Sequence, residues 1–167
     1  RSDEHVWEPL GAAMSIRLDA GLDAQGRIQS WQHEGFSYSH ASRPHAVGPE
    51  ASGLLAAWHL DPPAARPTPA HGKGRHSGAH RNADPLYSFP NRRVVSHLVE
   101  GLSPRTSSLR ALGAYANVFA VESFMDELAI VVGADPVQFR LDHLEDPRAH
   151  AVIEAVVDMA GGLEAPG

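Results

Sequence analysis

The chain has no cysteine, which excludes disulfides, a thiol nucleophile and any iron–sulfur cluster ligated by the chain itself. The same absence leaves the cellular compartment open. No apolar run reaches about eighteen residues, so no segment reads as a membrane-spanning helix. Positive charge is in deficit: 14 Lys and Arg face 20 Asp and Glu, for a net charge of -6, which argues against a nucleic-acid partner. There is no internal repeat, no Walker loop, no dinucleotide fingerprint and no Ser-His-Asp order. The chain begins with Arg1 and carries no basic-plus-apolar leader, so it reads as a processed product or an internal piece of a longer protein.

What is present suffices for one core: 167 residues, of which 43% are hydrophobic. Met14, Ile16, Leu18 and Ala20 alternate with Ser15, Arg17 and Asp19, the period of a half-buried strand. Asp23-Ala24-Gln25-Gly26 supplies turn chemistry, and Arg27 to Phe36 reads as the returning strand of a hairpin. Residues 37–53 look irregular, and 54–60 fit a short helix or a buried strand equally well. Asp61 to Pro85 is rich in Pro, Gly and His and reads as a flexible surface loop. Val94 to Val99 reads as a further strand.

The last third is helical. Val118, Val121, Met125, Leu128 and Val132 form one apolar stripe, and Gly133 stops it. Asp135-Pro136-Val137-Gln138 is an N-cap, a proline at the first helical position and a capping-box glutamine, opening a helix that ends near Leu144. Asp146-Pro147 opens a third helix carrying Val152, Ile153, Val156 and Met159, closed by Gly161-Gly162. Strands first and helices last predict an α+β fold: an N-terminal β-hairpin and a further strand, then three C-terminal helices.

One segment carries candidate chemistry. Thr106-Ser107-Ser108-Leu109-Arg110-Ala111-Leu112-Gly113-Ala114-Tyr115-Ala116-Asn117 is a small-residue turn running into the first helix. Such a turn leaves backbone N–H groups unpaired at the positive end of a helix dipole, and Arg110 adds a planar cation. The arrangement suits an anionic oxygen group, although spacing alone fits an ordinary tight turn as well.

Ser107 to Gly113, followed by Glu122-Ser123-Phe124-Met125-Asp126-Glu127-Leu128-Ala129 and Gly133-Ala134-Asp135-Pro136-Val137-Gln138-Phe139-Arg140-Leu141, resembles the large, molybdopterin-binding subunit of the molybdenum hydroxylases. That is the xanthine dehydrogenase and aldehyde oxidase family, and the branch most resembled is the isoquinoline 1-oxidoreductase-like beta subunits. Asp3-Glu4, Trp7-Glu8-Pro9, Trp31-Gln32-His33-Glu34, Tyr87-Ser88-Phe89-Pro90-Asn91-Arg92-Arg93 and Asp146-Pro147-Arg148-Ala149 agree with it in order. The family's subunit is several times longer, so the resemblance implies a fragment of a larger multi-domain subunit. Residues 1–160 then form part of a molybdopterin-binding domain, and 161–167 a tail.

The resemblance also implies roles. The family's aromatic-Arg-Gly-x-Gly segment lies beside the molybdenum centre. Carried over, Leu109, Arg110, Ala111 and Gly113 contact the molybdopterin cofactor, and Leu109 and Leu112 line the substrate pocket. Here Leu replaces the aromatic residues, Ala111 replaces a glycine, and Ala114-Tyr115-Ala116 replaces Gly-Pro-Gln. The pocket implied is one for another N-heterocycle or an aldehyde rather than a sandwiched purine. The implied reaction inserts a water-derived oxygen at an electron-poor carbon. Electrons then leave through iron–sulfur clusters on a small partner subunit, with a cytochrome as a further acceptor.

No residue matches the family's catalytic glutamate, so no catalytic residue is assigned and the chain alone is expected to be inactive. The rival reading is a non-catalytic product of a split or decayed gene, acting at most in subunit association. Glu122 and Asp126 share a helix face, the spacing of an acid–base pair, but a solvated or N-terminal-turn acidic face explains them better. His33 reads as a satisfied strand residue, and Tyr87 to Asn91 as an anchored turn. Of eleven histidines, His71, His76 and His80 crowd one loop without a rigid shell to make a metal site.

Overall fold

In a computed structural model, the structure describes residues 10–40, 59–63, 69–101 and 106–161. The readings at 1–9, across 41–58 and on the 162–167 tail lie outside these residues.

The hairpin forms as the alternation predicts. Strand β1 (Met14–Leu22) pairs antiparallel with β2 (Ile28–Ser37). Met14, Ile16, Leu18 and Ala20 are half-buried, while Ser15, Arg17 and Asp19 are exposed. The Asp23 carboxylate organises the turn, accepting from the Arg27 backbone N–H at 2.8 Å, from that of Gln25 at 3.0 Å and from the Gln29 amide at 2.7 Å. Those donors, the Arg27 amide foremost, hold Asp23 below the usual carboxylate range. Gly26, at φ 78°, takes the left-handed position that closes the turn.

A β-bulge is not visible in the sequence pattern. Gly21 pairs with Ser30 but Leu22 with Ile28, so β2 carries one extra residue. Ile28 and Trp31 are three apart and would otherwise face opposite sides; the bulge puts both into the core. It also frees the Ile28 amide, which donates to His143 Nε2 at 3.0 Å, while His143 Nδ1 lies 2.7 Å from the Phe139 carbonyl. The hairpin is thereby tied to the helical half of the chain.

Strand β3 (Asn91–Leu98) starts three residues before the predicted run and lies parallel to β2, giving the order β1-β2-β3. Helix α1 (Ala114–Val132) covers the sheet. Its Val121, Met125, Leu128 and Ala129 pack with Ile28, Trp31, Tyr87, Phe89 and Phe139. Trp31 stacks on Phe89 with ring centroids 4.7 Å apart. The anchored turn predicted at Tyr87–Asn91 thus delivers two core rings. Val118, assigned to the buried stripe, is exposed instead, because the inward position in that turn of α1 is Asn117, one residue earlier. Gly133 ends α1 at φ 68°, with the Ala134 amide reaching back to the Ala129 carbonyl.

Helix α2 (Pro136–Asp142) is capped by Asp135, which accepts from the amides of Val137 and Gln138. The capping box is only half made: the Gln138 side chain runs forward to Asp142 at 2.7 Å instead of back to the cap. Helix α3 (Pro147–Met159) is capped by Asp146, whose carboxyl is lowered to about 2 by Arg148. Of the four apolar residues that α3 carries, Ile153 is half-buried, while Val152, Val156 and Met159 are exposed. The 61–85 connection holds a 3-10 turn, Gly78–His80, in its second half, with Ala79 and Ala83 buried.

Candidate functional site

The Leu109–Gly113 segment forms a tight double turn. The Leu112 amide donates to the Leu109 carbonyl at 3.1 Å and the Ala114 amide to that of Ala111 at 3.0 Å. Ala111 at φ 73° and Leu112 at φ 54° both occupy the left-handed region, which costs a side-chain-bearing residue about 1–2 kcal/mol. Two consecutive residues of this kind survive only where the surroundings over-determine them.

The surroundings do so on both sides. Upstream, the Ser107 amide donates to the Leu10 carbonyl at 2.9 Å, the Ser108 hydroxyl to the His40 carbonyl at 2.7 Å, and the Thr106 hydroxyl to that of Ser39. Downstream, the Gly113 amide donates to the Gly78 carbonyl at 3.1 Å. A Cβ on Gly113 would lie 2.1 Å from the Ala79 oxygen, so only glycine allows this approach. One turn on, the Asn117 side-chain amide donates to the carbonyls of Ala79 at 2.8 Å and Arg81 at 2.9 Å.

What the turn presents is unneutralised. Gly113 lacks a side-chain acceptor, and the amides of Tyr115 and Ala116 have no protein acceptor among the described residues. Arg110 is exposed and makes no ion pair or hydrogen bond there. Leu109 is 42% exposed, and Leu112 is half-buried. The sequence-predicted residues thus stand together as one contiguous turn at the head of α1. Amides at a helix N-terminus without an acceptor among the described residues, and an exposed guanidinium in the turn before them, are donors of the kind that suits an anionic, oxygen-bearing group.

The acidic pair on α1 has another use. Arg140, which sequence reasoning passed over, donates to Glu122 at 2.9 Å and Asp126 at 2.7 Å, and to the carbonyls of Glu122 and Pro136 at 3.0 Å each. Burial works against its charge, but the bonds from Asp126 and Glu122 prevail and hold it above its ordinary value. Tyr87 donates to Glu122 from the other side, and burial, then the Glu122 charge, raise its phenol. Glu122 and Asp126 therefore form neither an acid–base pair nor a merely solvated face: they join α1 to α2.

His33, expected to be a satisfied strand residue, is 1% exposed and sits against the Asn117 side chain. Among the described residues neither its ring nitrogens nor the Asn117 carboxamide oxygen makes a hydrogen bond of good geometry. Burial lowers its pKa, with the Asn117 side chain opposing. Among the histidines of the loop, His80 Nε2 lies 2.7 Å from the Gly74 carbonyl. Among the described residues, no three His, Cys, Asp or Glu cluster as a metal site, and no helix is long and apolar enough to cross a membrane.

Residues 46–144 match the family described as the molybdopterin cofactor-binding domain. The chain is 35% identical over 162 residues, 96% of its length, to a nicotinate dehydrogenase subunit of Pseudomonas putida. It is 38% identical over 79 residues, 44% of its length, to the isoquinoline 1-oxidoreductase beta chain of Brevundimonas diminuta. These matches span 12% of the first relative and 10% of the second.

Proposed function

The chain belongs to the molybdopterin cofactor-binding domain family of the molybdenum hydroxylases, and from that premise we propose that its Leu109–Gly113 turn grips the cofactor. Residues 1–160 act as part of that binding domain. Arg110 and the backbone at Ala111 and Gly113 hold the anionic side of the cofactor, with Leu109 and Leu112 toward the substrate. When bound, the cofactor supplies two-electron oxidation with oxygen drawn from water. The protein's part is to orient the cofactor and fix the local field, not to supply a base, since no residue here takes that role.

The carrying observation is the strained turn itself. Ala111 holds φ 73° at the position where the family pattern has glycine, beside an Arg110 that no protein group neutralises among the described residues. Strain kept at the head of a helix, next to free donors, suits a group that the turn must meet at a fixed angle. On the substrate, nicotinate and isoquinoline in the relatives' names are both nitrogen heteroaromatics, which favours an N-heterocycle over an aldehyde. Electron transfer to an iron–sulfur small subunit, with a cytochrome beyond it, completes the reading. The exposed Val152, Val156 and Met159 on α3 favour a role in subunit association as well.

Arg110→Ala in the intact holoenzyme tests the proposal. Losing one oriented donor from a desolvated site should lower turnover by about 10²–10³, and bound molybdenum should fall. Arg110→Lys should rescue only in part, because a point charge cannot reproduce the planar fork. Normal metal content and turnover in the Ala variant would make Arg110 structural.

A further inference from the structure

We infer that Asn117 is a positioning residue: it clamps the Gly78–Arg81 segment against Gly113 and so holds the Ala111–Leu112 turn in the conformation that meets the cofactor. This deepens the proposed function and rests on its reading of the turn.

Asn117 is 0% exposed although it is polar and lies in the first turn of α1. Its two amide hydrogens go to the carbonyls of Ala79 and Arg81, neither of which belongs to the helix. Four residues earlier, the same segment receives the Gly113 amide through Gly78 and approaches Gly113 too closely for any Cβ. The segment is therefore held at two points one helical turn apart. Ala79 is buried between them.

That geometry accounts for the strain. Relaxing Ala111 and Leu112 out of the left-handed region would swing Gly113 away from Gly78. The Asn117 bonds oppose the swing by fixing the far side of the same loop. No core residue does this: Val121, the next buried position on α1, packs in the main core. A carboxamide suits the place because the two acceptors are both carbonyls, and a buried donor pair is costly to leave unmade.

The test uses the full-length subunit with its partners and four variants: Asn117→Ala, Asn117→Ser, Asn117→Asp and, as a control for lost stability, Val121→Ala. The first readout is amide exchange at Leu112 and Ala114, whose bonds define the turn. The second is molybdenum content with kcat and KM. Asn117→Ala should speed exchange at both amides roughly tenfold, lower molybdenum content, and reduce kcat more than it raises KM. Asn117→Ser, keeping one donor, should fall between wild type and Ala, and it serves if the Ala variant does not fold. Asn117→Asp should be worst, since it sets a carboxylate against two carbonyl oxygens. Val121→Ala should lower Tm while leaving turn exchange and molybdenum content alone. If Asn117→Ala behaves like Val121→Ala, losing stability only, the inference is overturned and the reading of Arg110 stands. If turn exchange quickens while metal and turnover stay normal in both Asn117→Ala and Arg110→Ala, the clamp is real. In that case the cofactor reading beneath it fails.

Discussion

Removing Arg140 should cut the tie between α1 and α2, and the structure sets the size of the effect. Its side chain is 16% exposed, against 42% for Glu122 and 56% for Asp126. The bond to Glu122 is charge-assisted and partly shielded, so it contributes about 1.5 kcal/mol, the low end for its class. The bond to Asp126 is largely solvated and contributes about 0.3–0.5 kcal/mol. Two carbonyl bonds that water can replace add about 0.5 kcal/mol each. Arg140→Ala should therefore destabilise the chain by about 3 kcal/mol. With an unfolding slope of about 2 kcal/mol/M in urea, the midpoint should drop by about 1.5 M. Arg140→Lys, which keeps the charge but not the fork, should lose about half as much. Asp126→Ala should lose little, and 1 M salt should remove most of that difference while leaving the Glu122 contribution. Equal losses for Arg140→Ala and Asp126→Ala, or a loss below about 0.5 kcal/mol for the former, would refute this account of the junction.

Two further outcomes are expected. His33 is buried with a lowered pKa, so the unfolded chain binds the proton more readily than the folded one. Stability should be full above the ordinary imidazole value of about 6.5 and fall as pH drops through it toward the lowered folded value. His33→Leu should flatten urea-midpoint curves between about pH 7 and 5, and an unchanged slope would assign the effect to His40, which burial lowers in the same direction. For the cap of α2, Asp135→Ala should cost about 0.5–2 kcal/mol by thermal unfolding, because two amides lose their acceptor. A loss near zero would mean that Pro136 alone sets the helix start.

The legible parts of this fold were those fixed by neighbours in sequence. The Asp23–Gly26 turn of the hairpin, the Asp135 and Asp146 caps and the Gly133 stop each depend on residues close together in sequence, and the hairpin's strands follow from their own alternation. The extra residue at Ile28–Ser30 left no mark on the period-two pattern, since a bulge is a property of pairing rather than of one strand. The parallel placement of β3 depends on a long connection that local pattern does not constrain. Arg140 escaped notice because its acidic partners lie on another helix, and the apolar spacing of α3 did not tell how far its residues are buried, since spacing says that a face can be buried, not that this chain buries it. At the candidate site, the turn and Arg110 stood out in the sequence. The roles of Gly113 and Asn117 did not, because they concern Gly78–Arg81, brought alongside only by folding.

Helix α1 begins at the clamped turn and buries Val121, Met125, Leu128 and Ala129 in the main core, so the candidate site and the core share one rigid element. Mass action then links them. A ligand held by the turn only in the folded chain raises the stability of the whole unit by RT ln(1 + [L]/Kd), about 2.7 kcal/mol at a free concentration one hundred times Kd. The link runs in both directions: a lesion at Met125 severe enough to populate the unfolded chain weakens apparent ligand affinity without touching any residue of the turn, whereas the milder Val121→Ala, which leaves nearly all of the chain folded, does not.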